Sequence, residues 1–302
     1  DSAIPHIQDF LNDKPRKNII KQMDDPDVLL WITWALQQYW KENKQVFKEK
    51  YTDFLFSVVD FILSNKHSNL SVDPENGLVS TCGRDVAVSW MNAVQNGKPV
   101  TPRSGYLVAA ATNKEVLATT YEEKALKAQQ SFIETFLNDA GYLYDYVDGT
   151  YADRNVRPNM IFAVSVDYSP LDRRQKKSVV DFVTKELLTP VGMRSLSPKG
   201  YNYRPRYAGT AEEKEYAYFN GCAFPWLIGA YIEAYLKVFS MSGLSLADRV
   251  MIELEDQMQN DCIGTLSEFY DSSPPFYAHG GYSFAMSVSE TLRAKRLIKS
   301  FG

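Results

Sequence analysis

The sequence is short of the groups on which many catalytic and structural schemes depend. Cys82, Cys222 and Cys262 are its three cysteines in 302 residues, an odd count without paired spacing. That argues against a disulfide framework and suits a reducing compartment or a few inert buried thiols. Its three histidines, His6, His67 and His279, are too scattered along the chain to suggest a metal set, and each is expected at the surface or in a loop. There is no HExxH, no CxxC pair, no P-loop and no glycine-rich dinucleotide turn after a strand. No apolar run approaches the length of a membrane span, and no signal-peptide core opens the chain. The first residue is Asp1 and not Met, so export stays open. Positive charge is also scarce: 33 Lys and Arg stand against 37 Asp and Glu, a net −4. A nucleic-acid partner would favour a basic face instead.

What the chain does have is apolar and aromatic mass. At 45% hydrophobic and 23% charged it can build a substantial core, and a length of 302 residues fits one large domain, such as an all-helical ring or barrel, or two modest ones. The 19 Tyr, 16 Phe and 5 Trp are numerous enough to stack on sugar faces, although most of them are expected to fill the core.

Helical periodicity dominates. Asp25-Pro26-Asp27 reads as a helix start, with Asp25 as N-cap and Pro26 at the first helical position. Leu29 to Tyr39 is apolar on nearly every side and is expected to be buried all round. Val46 to Leu63 is amphipathic, an outer helix over an inner one. Helical patterns recur at about 121–137, 158–168, 172–188, 223–240, 245–261 and 282–298, separated by long segments at 139–157, 189–219 and 263–281 with little strand signal. Loops of that length in a compact domain are usually functional. Buried helices alternating with amphipathic ones suggest an all-α toroid of helical hairpins. The basic runs Arg173-Arg174-Gln175-Lys176-Lys177 and Arg293, Lys295, Arg296, Lys299 read as solvated helix faces.

With the familiar signatures missing, carboxylates set among aromatics remain, the pattern of glycoside hydrolases. Four segments mix Trp, Arg, Asn, Gly and Pro densely: Ser89-Trp90-Met91-Asn92-Ala93 with its continuation to Arg103-Ser104-Gly105, then Arg157-Pro158-Asn159. The third runs from Leu196 through Tyr203-Arg204-Pro205-Arg206-Tyr207 to Tyr218-Phe219-Asn220-Gly221 and Pro225-Trp226, and the fourth is Gly264-Thr265-Leu266-Ser267-Glu268-Phe269-Tyr270-Asp271.

In these segments the sequence resembles the amylo-α-1,6-glucosidase family, the glucosidase domain of glycogen-debranching enzymes. The likeness extends from Ile4-Pro5 and Asp27…Leu30-Trp31 to Ser287-Val288-Ser289-Glu290, nearly the whole chain. It implies an (α/α)6 toroid with the active site in a funnel at one end. It also implies a cytoplasmic enzyme without metal or organic cofactor, acting on an α-glucan such as glycogen. The reaction would be inverting hydrolysis of the α-1,6-linked glucose at a branch point, with an acid and a base roughly 6.5–9.5 Å apart.

By this resemblance the base falls on Glu268. The acid position, an aspartate directly after Trp-Met in the family, falls on Asn92, and an amide cannot donate a proton as a carboxylic acid does. Asp85 and Asp27 are the substitutes at hand; for Asp27, helix-terminal charge is an equally good account. Trp90, Arg103, Arg157, Asn159, Arg206, Tyr218, Asn220 and Trp226 match binding motifs, with core packing or loop-to-loop hydrogen bonding as the structural alternative.

Other positions depart from the family. Phe219 and Phe224 replace an expected His and Trp, and Phe284-Ala285-Met286-Ser287 replaces Gln-Ala-Trp-Ser. After Val108 the expected helical motif is absent, and the chain starts after the family's first helices. One toroid domain over 1–302, incomplete at its N-terminus and near 108, is therefore expected. A non-catalytic α-glucan-binding relative is the rival reading, and a helical scaffold for protein partners a weaker one.

Overall fold

The computed structural model describes residues 26–81, 89–91, 94–95, 98–99, 105–107, 122–260 and 263–302. The chain is mostly helical, as its periodicity indicates. In chain order the helices are α1 (Pro26–Glu42), α2 (Lys44–Lys50), α3 (Thr52–Leu63), α4 (Glu122–Phe136), the single turn α5 (Phe162–Ser165), α6 (Arg173–Leu187), α7 (Ala211–Tyr218), α8 (Leu227–Phe239), α9 (Leu244–Gln257) and α10 (Ala285–Phe301).

Helix α8 is the centre of the main core. Ile228, Tyr231, Ile232 and Leu236 on it are fully buried, and it packs against α10, α6, α9 and α5. A side chain of that size contributes about 1.5–3 kcal/mol on full burial. The second core joins α1 and α3, where Leu29, Leu36, Phe54, Leu55 and Val58 meet Leu70 and Val79 of the neighbouring strands.

Three expectations change. Helix α1 is not buried all round among the described residues: Leu29, Leu30, Thr33 and Leu36 face inward, whereas Ala35, Tyr39 and Trp40 are exposed. One face packs on α3, and Trp31 turns toward Phe162 and Trp226. That leaves the third side open. Arg293 is not a solvated residue either. It is largely enclosed, donating to both Glu290 oxygens and to Glu233 Oε2, and these carboxylates outweigh the cost of burial. The expected 158–168 helix is a 3-10 turn (Pro158–Ile161) running into α5.

The long connections are not free of strands. The first seven strands are β1 (Leu70–Val72), β2 (Val79–Thr81), β3 (Val94–Gln95), β4 (Lys98–Pro99), β5 (Gly105–Leu107), β6 (Tyr146–Asp148) and β7 (Tyr151–Ala152); β3 pairs with β4, and the others form a sheet ordered β1-β2-β5-β6-β7. A second, antiparallel throughout, is ordered β12-β11-β10-β9-β8: Leu188–Thr189, Gly192–Arg194, Ala223–Phe224, Phe269–Tyr270 and Ala278–His279 in chain order. Each strand is two or three residues long. This second sheet gathers segments that are far apart in sequence.

Candidate active site

Glu268 precedes β11, and the loop from β12 into α10 folds back over it. Its backbone N–H donates to Gly281 O at 3.1 Å, and the Gly281 N–H donates to its Oε2 at 2.9 Å. The Tyr218 hydroxyl, from the last turn of α7, donates to its Oε1. Glu268 is half-buried, with donors on both oxygens. Gly280 beneath it is required. A Cβ on Gly280 would stand 2.4 Å from Glu268 Oε2, and Gly280 has φ +75°, a region favouring glycine.

The Tyr218 ring is enclosed by Phe219, Phe224, Phe269 and Tyr207, with centroid separations of 4.3, 5.2, 4.6 and 6.3 Å. Burial, and then the hydrogen bond to Glu268, push its hydroxyl pKa far above the ordinary tyrosine value. It is therefore a donor at every working pH. Phe219 and Phe224 also pack edge-on against Trp90, at 5.3 and 5.6 Å, and Trp90 packs on Trp226 at 4.9 Å. Trp226 in turn meets Trp31 and Phe162. A continuous chain of rings thus connects Trp31 on α1, one helical turn after Asp27, to the Glu268 carboxylate. Trp90 is half-buried and Trp226 buried.

Behind Trp90 lies a buried polar network. Its Nε1 donates to Asn159 Oδ1 at 2.7 Å, and Asn159 Nδ2 donates to Asp145 Oδ1 at 2.7 Å. Arg157 donates to Ser195 O, Phe219 O and Asn220 Oδ1 at 3.1, 2.7 and 2.9 Å, with its Nε 3.8 Å from Asp145 Oδ2. Asn220 Nδ2 donates to Tyr216 O. Arg157, Asn159 and Asn220 are all buried, and the hydrogen bonds of their side chains go to the protein itself. Arg206 is exposed and donates to Pro274 O at 3.1 Å. Asp27 lies in the first turn of α1. Asn92, Arg103, Asp25, Asp85, Cys82, Cys262 and His6, and the segment after Val108, lie outside the described residues.

Some features of this region had no signal in the sequence. Asp145 and Asp153 are buried carboxylates; burial, then the nearby Asp145 charge, raise the Asp153 pKa. His279 on β12 pairs with buried Asp271 at 2.8 Å, and Asp271 also accepts from the Tyr207 N–H. His67, expected at the surface or in a loop, lies in the loop after α3 and is buried there, its Nδ1 accepting from the Asn69 N–H. The Gly280-Gly281 pair was a usable clue to close backbone approach. Among the described residues no group of three His, Cys, Asp or Glu could hold a metal ion, and no helix is long and apolar enough to cross a membrane.

Comparison with known proteins matches residues 4–293 to the amylo-α-1,6-glucosidase family. The glycogen debranching enzyme of Saccharomyces cerevisiae is 31% identical over 91 residues, which are 28% of this chain and 6% of that enzyme. Among solved structures, the GH63 mannosylglycerate hydrolase of Thermus thermophilus aligns with a TM-score of 0.44 at 13% identity, over 63% of this chain and 44% of that one. The neutral trehalase of S. cerevisiae aligns with a TM-score of 0.43 at 12% identity, over 82% and 38%.

Proposed function

The chain belongs to the amylo-α-1,6-glucosidase family, and from that premise we propose that it hydrolyses the α-1,6-linked glucose at branch points of an α-glucan, with inversion. The observation that carries this reading is the setting of Glu268: a half-buried carboxylate with a donor on each oxygen, at the end of an aromatic wall. Ionised and held in place, it would take a proton from the attacking water, the role of the base in an inverting pair. Trp90 offers a half-buried ring for a sugar face. The network through Asn159, Asp145, Arg157 and Asn220 supports the walls around it. Of the two substitute carboxylates, Asp27, in the first turn of α1, is the one among the described residues, and it is a candidate for the proton donor to the leaving oxygen.

A second reading has a specific observation behind it. Asn92 stands where the family resemblance expects the acid, so a glucan-binding relative without turnover is the alternative. Glucose release from a singly branched α-1,6-glucosyl dextrin separates the two. For an enzyme, wild type releases glucose, and Glu268→Gln and Asp27→Asn each lower the rate at least about 100-fold. A binding relative is silent as wild type and gains turnover with Asn92→Asp. If Glu268→Gln turns over like wild type, the base assignment is wrong.

A further inference from the structure

Tyr218 matches a family binding motif, but its hydroxyl points at Glu268. We infer that Tyr218 is a positioning residue that fixes the orientation of the Glu268 carboxylate, a deepening of the proposed function that rests on Glu268 being the base. Several observations converge. The phenol ring is held on four sides by Phe219, Phe224, Phe269 and Tyr207, so the hydroxyl has little freedom to turn elsewhere. It is the last helical residue of α7, and the next two residues are anchored by Arg157, which takes Phe219 O and Asn220 Oδ1. The other carboxylate oxygen accepts from the Gly281 N–H, two residues beyond β12.

Two donors on two different oxygens fix both position and plane. A donor aimed at a carboxylate stabilises the ionised form over the acid. Removing the hydroxyl is therefore expected to move the acid limb of the kcat/KM profile to higher pH. A hydrogen bond to a charged group is strong enough to move that limb by about one pH unit or somewhat more. A sugar-binding tyrosine predicts something different, namely weaker substrate binding with the acid limb unchanged.

The variant Tyr218→Phe keeps the ring and removes only the hydroxyl. The expected result is a kcat lower by about 10- to 100-fold with KM within about threefold, and the acid limb of the kcat/KM profile moved to higher pH by about one unit. The same displacement is read without turnover by 13C NMR titration of δ-carboxyl-labelled glutamate, with the Glu268 resonance assigned by its loss in Glu268→Gln. Thermal unfolding of Tyr218→Phe controls for folding. An unmoved Glu268 titration in folded Tyr218→Phe overturns the inference, as does a raised KM with an unmoved acid limb. The underlying reading fails separately, when Glu268→Gln retains turnover. If wild type is silent, the titration decides alone.

Discussion

At the scale of single residues, the buried carboxylates behind the aromatic wall set a pH dependence. Asp153 is buried beside Asp145, and its folded pKa lies above the ordinary value because of burial first and its neighbour's charge second. A carboxyl that binds its proton more tightly in the folded state lowers stability as pH rises from the unfolded value of about 4 through the raised value, then levels off. Asp153→Asn removes the charge and keeps an oxygen for the Asn155 N–H, which Oδ1 accepts at 3.0 Å. The variant is expected to be more stable than wild type at pH 7, with the gain shrinking toward pH 3, checked by urea unfolding at both. Nothing in the sequence marks these two aspartates, because burial is a property of the assembled sheet around them. Glu268 was legible through its segment, and so was its company of aromatics. The roles of Arg157, Asn159 and Asn220 were not, since the same motif serves a sugar hydroxyl or a neighbouring carbonyl until the loops are placed.

Elements were legible in proportion to their length. The patterns at 121–137, 172–188 and 282–298 became α4, α6 and α10 within a few residues, because several turns carry a periodic signal. Strands of two or three residues carry no alternation to read, and pairing alone creates them. Helix α7 was missed although its start was announced: Thr210 and Glu213 form a capping box, the Thr210 hydroxyl accepting from the Glu213 N–H and the Glu213 carboxylate from the Thr210 N–H. The cap matters because this helix of 8 residues ends on Tyr218. Thr210→Ala is expected to cost about 1 kcal/mol in urea unfolding. It should also lower kcat on the branched dextrin by a smaller factor than Tyr218→Phe, since the hydroxyl remains while its support loosens.

At the scale of the molecule, Arg157 links the parts. One guanidinium, after β7 of the first sheet, reaches the carbonyl of Ser195 beyond β9 of the second and the end of α7, with Asp145 beside it. Arg157→Met leaves a buried carboxylate and several carbonyls without their cation or donors. The loss is expected to be roughly 3–5 kcal/mol, measured by urea unfolding, together with loss of any glucose release. Most of the helical framework of the described residues was legible, α7 excepted, but the second sheet that collects its long connections was not, and that sheet sets the Ala223–Phe224 segment beside the Phe269–Tyr270 segment that follows Glu268.

That sheet has a further property. Its strands stand in space in the same order as along the chain, β8 beside β9, β9 beside β10, and on to β12. As a timetable, this means that a chain leaving the ribosome never has to hold a place open: each strand arrives to find its neighbour already laid down. The wall of rings, Trp90, Tyr218, Phe219 and Phe224, is synthesised before the carboxylate it surrounds. Glu268 is installed after them, and the Gly281 N–H that grips it comes thirteen residues later.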